Sequence, residues 1–166
     1  GADISIMAGQ NSFQYREYAK WYHEIRQQML GSSKPIIGAV NGYAFGGGAV
    51  VAFSTDLIVA AQGAKFGQQE INVGHIKGAS YLPRIVGRFR AAQIVMLGEA
   101  ITAQEAYAMG LVNWVVPDEE LMDKAVEIAG KLMKKSPKAL MMAKQVLNIQ
   151  NETSESAADY YELEVN

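Results

Sequence analysis

The chain has 166 residues, with 15 Lys+Arg against 17 Asp+Glu for a net charge of −2, and 49% of it is apolar. A single globular domain of that length buries about 68–70% of its unfolded surface and needs no covalent staple. The absence of cysteine excludes thiol catalysis, zinc–thiolate and iron–sulfur sites and any disulfide framework, and a mildly acidic balance without a Lys/Arg run argues against nucleic acid as the main partner. No charged-then-apolar leader opens the sequence, so the expected location is cytoplasmic.

From Ser12 to Leu30 apolar side chains recur at Tyr15, Tyr18, Tyr22, Ile25 and Met29. This +3/+4 alternation predicts a long amphipathic helix whose stripe faces a core. After Gly31-Ser32-Ser33 the period changes, and Ile36 to Val40 and Leu57 to Ala61 read as short buried strands rich in β-branched residues. Between them stand Gly46-Gly47-Gly48 and the small apolar run Ala49 to Phe53, which suits a short buried helix. No residue from Pro35 to Thr55 is charged, a length that could span a bilayer. Five glycines interrupt it, each costing a helix about 1 kcal/mol, so it is read as strand, turn and helix of a globular core rather than a membrane span. The order is that of an α/β protein.

Beyond Gly98 the chain turns helical. Thr102-Ala103-Gln104-Glu105 is a capping box and Gly110 closes the short helix behind it. Leu111 to Val116 reads as a strand ended by Pro117. Asp118 is expected to cap the next helix, which has Leu121, Ala125, Ile128 and Leu132 on one face. Ser136-Pro137 opens another helix, and Ser154 to Val165 has the composition of a weaker one. The shift near Gly98 suggests two parts, residues 1–98 and residues 99–166.

Most familiar catalytic constellations are missing. There is no G-x-S-x-G elbow and no phosphate loop ending in Gly-Lys-Ser/Thr; with only His23 and His75 available, a His-rich metal site is excluded. His23, on the tyrosine-rich helix, reads as a surface or boundary residue. Gly46-Gly47-Gly48 before a helix would let an anion approach backbone N–H groups; the same glycines would equally serve close strand–helix packing. Glu70 is a lone glutamate, and most glutamates are merely solvated.

The order of the pieces says more than any one of them. Gly1-Ala2-Asp3, the run Lys34 to Gly48 (KPIIGAVNGYAFGGG), Asp56, Phe66-Gly67-Gln68-Gln69-Glu70 and Leu82-Pro83-Arg84 to Gly87 stand in sequence. Ile101 to Ala106 (ITAQEA), Gly110-Leu111-Val112-Asn113 and Ser136-Pro137-Lys138-Ala139 complete the series. Together they closely resemble the crotonase (enoyl-CoA hydratase/isomerase) superfamily along essentially the whole chain.

The resemblance implies an α/β fold, a crotonase-like ββα spiral core followed by a helical oligomerisation segment, assembled as a homotrimer or dimer of trimers. It implies an acyl-CoA thioester as substrate, with coenzyme A arriving on the substrate and no separate cofactor, metal, nucleic acid or membrane. The backbone N–H groups of Ala2 and Gly47 would form an oxyanion hole for a thioester enolate, Glu70 would move protons beside it, and Gly46, Gly48 and Val50 would border the substrate. Val50 occupies the place of the second glutamate of hydratases. One proton-moving carboxylate suffices to convert a 3-enoyl to a 2-enoyl thioester, so the expectation leans to isomerisation over hydration; thioester or C–C hydrolysis and non-catalytic acyl-CoA binding are the alternatives. Two further departures are expected to matter: the sequence resembles a chain cut short at both ends, and Ile76 to Tyr81 resembles a shortened version of the loop bordering the acyl pocket.

Overall fold

The computed structural model describes residues 12–149. Helix α1 (Ser12–Leu30) is followed by β1 (Ile37–Val40), β2 (Tyr43–Phe45), helix α2 (Gly47–Ala52), β3 (Leu57–Ala61) and β4 (Lys65–Gly67). A 3-10 turn (Gln69–Val73) leads to α3 (Leu82–Leu97), which is broken at Gly87, where φ +76 and ψ 162 leave the helical region. Then come β5 (Ile101–Thr102), α4 (Ala103–Ala108), β6 (Trp114–Val116), a 3-10 turn (Asp118–Glu120), α5 (Leu121–Met133) and α6 (Pro137–Ile149).

From β1 to β4 successive strands alternate between two sheets. β1, β3 and β6 form one sheet, all parallel, with Ile37 opposite Leu57 and Val59 opposite Trp114. β2, β4 and β5 form the second, in which Tyr43 pairs with Lys65 in parallel and Phe66 with Ile101 antiparallel. The first two turns of the chain, β1-β2-α2 and β3-β4-α3, each lay one strand in each sheet before a helix returns it, which is the ββα spiral; in the third, α4 stands between β5 and β6. Both sheets take a strand from beyond Gly98. The segment Pro35 to Thr55 resolves into β1, β2 and α2, and among the described residues no helix is long and apolar enough to cross a membrane.

The core draws on α2, β3, β4, α3, α4 and α5. Val59, Ala60 and Ala61 of β3 are fully enclosed, so the strand reads as a continuous apolar run rather than an alternation. Phe66 and Leu82 are likewise enclosed, and the Phe53 and Phe66 rings stack at 5.6 Å between centroids.

Local signals hold at several points. Thr102 accepts from the Glu105 N–H while the Glu105 carboxylate accepts from the Thr102 N–H at 2.7 Å, a complete capping box. Gly110 has φ +80, and the Leu111 N–H donates back to the Ala106 carbonyl at 2.9 Å. Leu111 is therefore spent on closing α4, and the strand begins only at Trp114. The Ser136 hydroxyl accepts from the Ala139 N–H, as its capping position requires.

Three readings need correction. Asp118 does not cap α5, whose cap position falls on Glu120; its carboxylate instead accepts the Gly63 N–H at 3.0 Å, tying the turn before β4 to the chain after β6. The stripe of α1 is only partly core: Tyr22 packs against it, while Ile25 is 40% exposed. The helix expected at Ala49 to Phe53 begins two residues earlier, at Gly47. Ala2 and the segment Ser154 to Val165 lie outside the described residues.

Candidate active site

Asn41-Gly42, with Gly42 at φ +77, carries the chain from β1 into β2, and β2 delivers it to Gly46. Gly46 adopts φ +52, ψ −117, outside the range of L side chains, and its N–H donates to the Gly67 carbonyl at 2.9 Å. This bond joins the end of β2 to the end of β4, just before Glu70. A Cβ on Gly46 would stand 2.8 Å from Glu70 Oε1, so the glycine is what lets the carboxylate lie against the backbone at the mouth of α2. Gly47 opens α2, where an N–H has no carbonyl partner within the helix. A Cβ at Gly47 would collide with the Tyr22 ring of α1.

Glu70 is half-buried in the 3-10 turn, and its Oε2 is enclosed with no hydrogen-bond partner among the described residues. Burial pushes its carboxyl above the ordinary glutamate value, opposed by a hydrogen bond to its own backbone and by the charges of Lys77 and His75. Lys77 is pushed down by burial, and the Glu70 charge partly restores it.

Beside this arrangement is a cleft of about 200 Å³ between α1, α2 and the loop 76–81. Tyr22, Arg26, Val50, Lys77 and Tyr81 are in its wall. The Lys77 ammonium sits 5.1 Å from the centroid of the Tyr22 ring. The Arg26 guanidinium lies 4.6 Å over the Tyr81 ring and donates to Ser54 Oγ at 3.2 Å, and Ser54 Oγ in turn donates to the Val50 carbonyl at 2.6 Å. Tyr81 OH accepts from Gln68 Nε2 at 2.7 Å; burial pushes this phenol upward, so it stays protonated.

The residues singled out in the sequence are thus brought together unevenly. Val50, only 3% exposed, lines the cleft. Gly46 packs on Glu70, Gly48 lies in the first turn of α2, and Glu70 adjoins Gly46 rather than forming the cleft wall. Sequence reading passed over Arg26, and named Lys77 and Tyr81 only as part of the loop Ile76 to Tyr81. The one available signal was spacing: Arg26 follows Tyr22, and Tyr81 follows Lys77, by four residues. Among the described residues no group of three acidic, histidine or cysteine side chains could hold a metal.

A family model described as enoyl-CoA hydratase/isomerase matches residues 1–166. Short-chain-enoyl-CoA hydratase of Clostridium acetobutylicum is 39% identical over 151 residues, covering 89% of this chain and 58% of that protein. Crotonyl-CoA hydratase of Syntrophomonas wolfei is 38% identical over 151 residues, with the same coverage of 89% and 58%. Among solved structures, enoyl-CoA hydratase from Thermoplasma volcanium superposes with a TM-score of 0.93 at 34% identity, covering 99% of this chain and 66% of that one. Enoyl-CoA hydratase from Bacillus anthracis gives 0.90 at 34% identity, covering 99% and 65%. The chain belongs to the enoyl-CoA hydratase/isomerase family and has the crotonase fold. It spans 58% of the length of these two curated relatives.

Proposed function

We propose that this chain carries the proton-transfer centre of an acyl-CoA enzyme, with Glu70 as the acid/base. The observation that carries this reading is the Glu70 carboxylate itself: held against Gly46 at the mouth of α2, raised in proton affinity by burial, with Oε2 enclosed and unpartnered among the described residues. A carboxylate in that state is poised to take a proton from carbon and return it. The Gly47 N–H, at the start of a helix, supplies one donor for the thioester oxygen as negative charge develops, a contribution of about 2.7–4 kcal/mol where such a donor has been removed elsewhere. Ala2 is proposed as the second donor. Coenzyme A enters as part of the substrate, no further cofactor is invoked, and assembly is proposed as a homotrimer or dimer of trimers.

Hydration of a 2-enoyl thioester is the reaction we favour: hydroxyl adds to C3 and a proton to C2. It is supported by the relatives at 38–39% identity, which are named as hydratases. Allylic isomerisation is the second reading, because Val50 puts an apolar, almost fully buried side chain where the resemblance expects a second carboxylate. In that reaction Glu70 takes a proton from C2 of a 3-enoyl thioester and returns it to C4.

The two are separated by incubating the protein with trans-2-hexenoyl-CoA and trans-3-hexenoyl-CoA in deuterated water. Prompt 3-hydroxyacyl-CoA from the 2-enoyl substrate supports hydration. Interconversion of the two enoyl thioesters without hydroxyacyl product supports isomerisation. Release of free coenzyme A with neither overturns both.

A further inference from the structure

The charges around the cleft are unbalanced in a protein whose overall charge is negative. There Arg26 interacts with Tyr81 and with Arg84, and Lys77 and His75 interact with Glu70, the one carboxylate among those interactions. Among the described residues neither Arg26 nor Lys77 forms an ion pair. Arg26 is held by a neutral hydroxyl and the face of a ring, and Lys77 by the face of a ring and, without an ion pair, by the more distant charge of Glu70. Both are half-buried in the wall, on opposite sides: one on α1, the other on the loop 76–81.

Partly desolvated cations without a carboxylate in direct contact are costly. A purely aliphatic tail lying in the cleft would remove their remaining water and return nothing. A carboxylate between them would gain charge-assisted hydrogen bonds from both, with Arg26 able to bind it through two parallel N–H groups. The neutral Tyr81 hydroxyl and the Gln68 Oε1, which has no partner among the described residues, keep that end of the wall polar. Glu70 opposes such an anion, but it adjoins Gly46 rather than the wall, and its own charge is already met in part by Lys77.

We propose that the cleft receives the far end of an acyl chain that itself bears a carboxylate, with Lys77 and Arg26 as its specificity-determining partners. The inference rests on the acyl-CoA reading above and names the class of acyl group within it. The phosphates of coenzyme A are the other anions within reach of such cations, and the test keeps them apart.

Binding is measured by calorimetry with two unreactive five-carbon thioesters, pentanoyl-CoA and glutaryl-CoA, and with unacylated CoA, for the parent protein and for Lys77→Met, Lys77→Arg and Arg26→Gln. The parent should bind glutaryl-CoA about tenfold more tightly than pentanoyl-CoA. Lys77→Met and Arg26→Gln should each erase most of that ratio, and Lys77→Arg should keep it. The ratio is the readout because removing the Lys77 charge also alters Glu70. Equal or tighter binding of pentanoyl-CoA overturns the inference. So does a loss for unacylated CoA as large as that for glutaryl-CoA, which would assign the cations to the phosphates. Failure of all three ligands to bind the folded parent removes the acyl-CoA reading, and the inference with it.

Discussion

Replacing Gly46 by alanine separates what the backbone needs from what the site needs. At φ +52, ψ −117 an L residue is strained by about 1–3 kcal/mol. In addition, the new methyl would stand 2.8 Å from Glu70 Oε1, closer than nonbonded atoms settle, so the carboxylate must move. Gly42 is the control: it also has positive φ, at +77, but a Cβ there meets nothing within 4 Å. Gly42→Ala should lower stability by about 1–2 kcal/mol, and Gly46→Ala by the same or somewhat more. At roughly 2–4 °C per kcal/mol for a chain of this size, both should melt several degrees lower. Turnover should part them. Measured well below either Tm, Gly46→Ala should lose about 100-fold in kcat, the order expected when a reacting group is displaced by about 1 Å, while Gly42→Ala stays close to the parent. Equal losses of turnover in the two variants would refute the claim that Gly46 is there to seat Glu70.

Lys144 predicts a purely structural effect. Its side chain is 3% exposed and its ammonium donates to the Met29 carbonyl at 2.7 Å, the Lys34 carbonyl at 3.2 Å and Asp56 Oδ2 at 2.8 Å, pinning α6 to the end of α1 and the start of β3. Lys144→Met should cost about 3–5 kcal/mol, the range for breaking a buried pair, less some relief because Asp56 is partly exposed and keeps the Ile36 N–H at 2.7 Å. Urea denaturation checks it, and a change under about 0.5 kcal/mol would contradict the clamp. Glu70 carries a pH signature of opposite sign for activity and stability. Because burial raises its proton affinity, the acid limb of kcat/KM should lie above the ordinary glutamate range of about 4.3. Its charged form also counts against the fold, an effect absent below the unfolded value and complete once pH has risen past the folded one. Glu70→Gln should therefore raise Tm at about pH 8 and leave it unchanged at about pH 4, as thermal scans at both values would show.

Where the sequence carried a long period or a capping pair, the fold was legible: the helix Ser12–Leu30, the strand Leu57–Ala61 and the Thr102 box are found with the expected limits. Three-residue strands were not. Tyr43–Phe45 and Lys65–Gly67 are too short to show an alternation, and they are strands because the spiral sets them beside each other. Leu82–Leu97 was hidden by Gly87, whose positive φ breaks the helical period midway. Glu70 was named through the order of motifs, not through local chemistry, and the glycines before a helix left Gly47 open between an anion site and close packing until that order was read. Arg26, Lys77 and Tyr81 reach the cleft from segments about fifty residues apart, and only the folded chain makes them neighbours.

In the proposed reaction Glu70 is the group that moves the proton. Wild-type protein and Glu70→Gln, both shown to be folded by circular dichroism, are compared for deuterium incorporation at C2 of an enoyl-CoA substrate in deuterated water. Incorporation by the wild type, with a loss of about 100- to 10,000-fold in the variant, is the predicted result. Undiminished incorporation by the folded variant would contradict it and move the proton to another group.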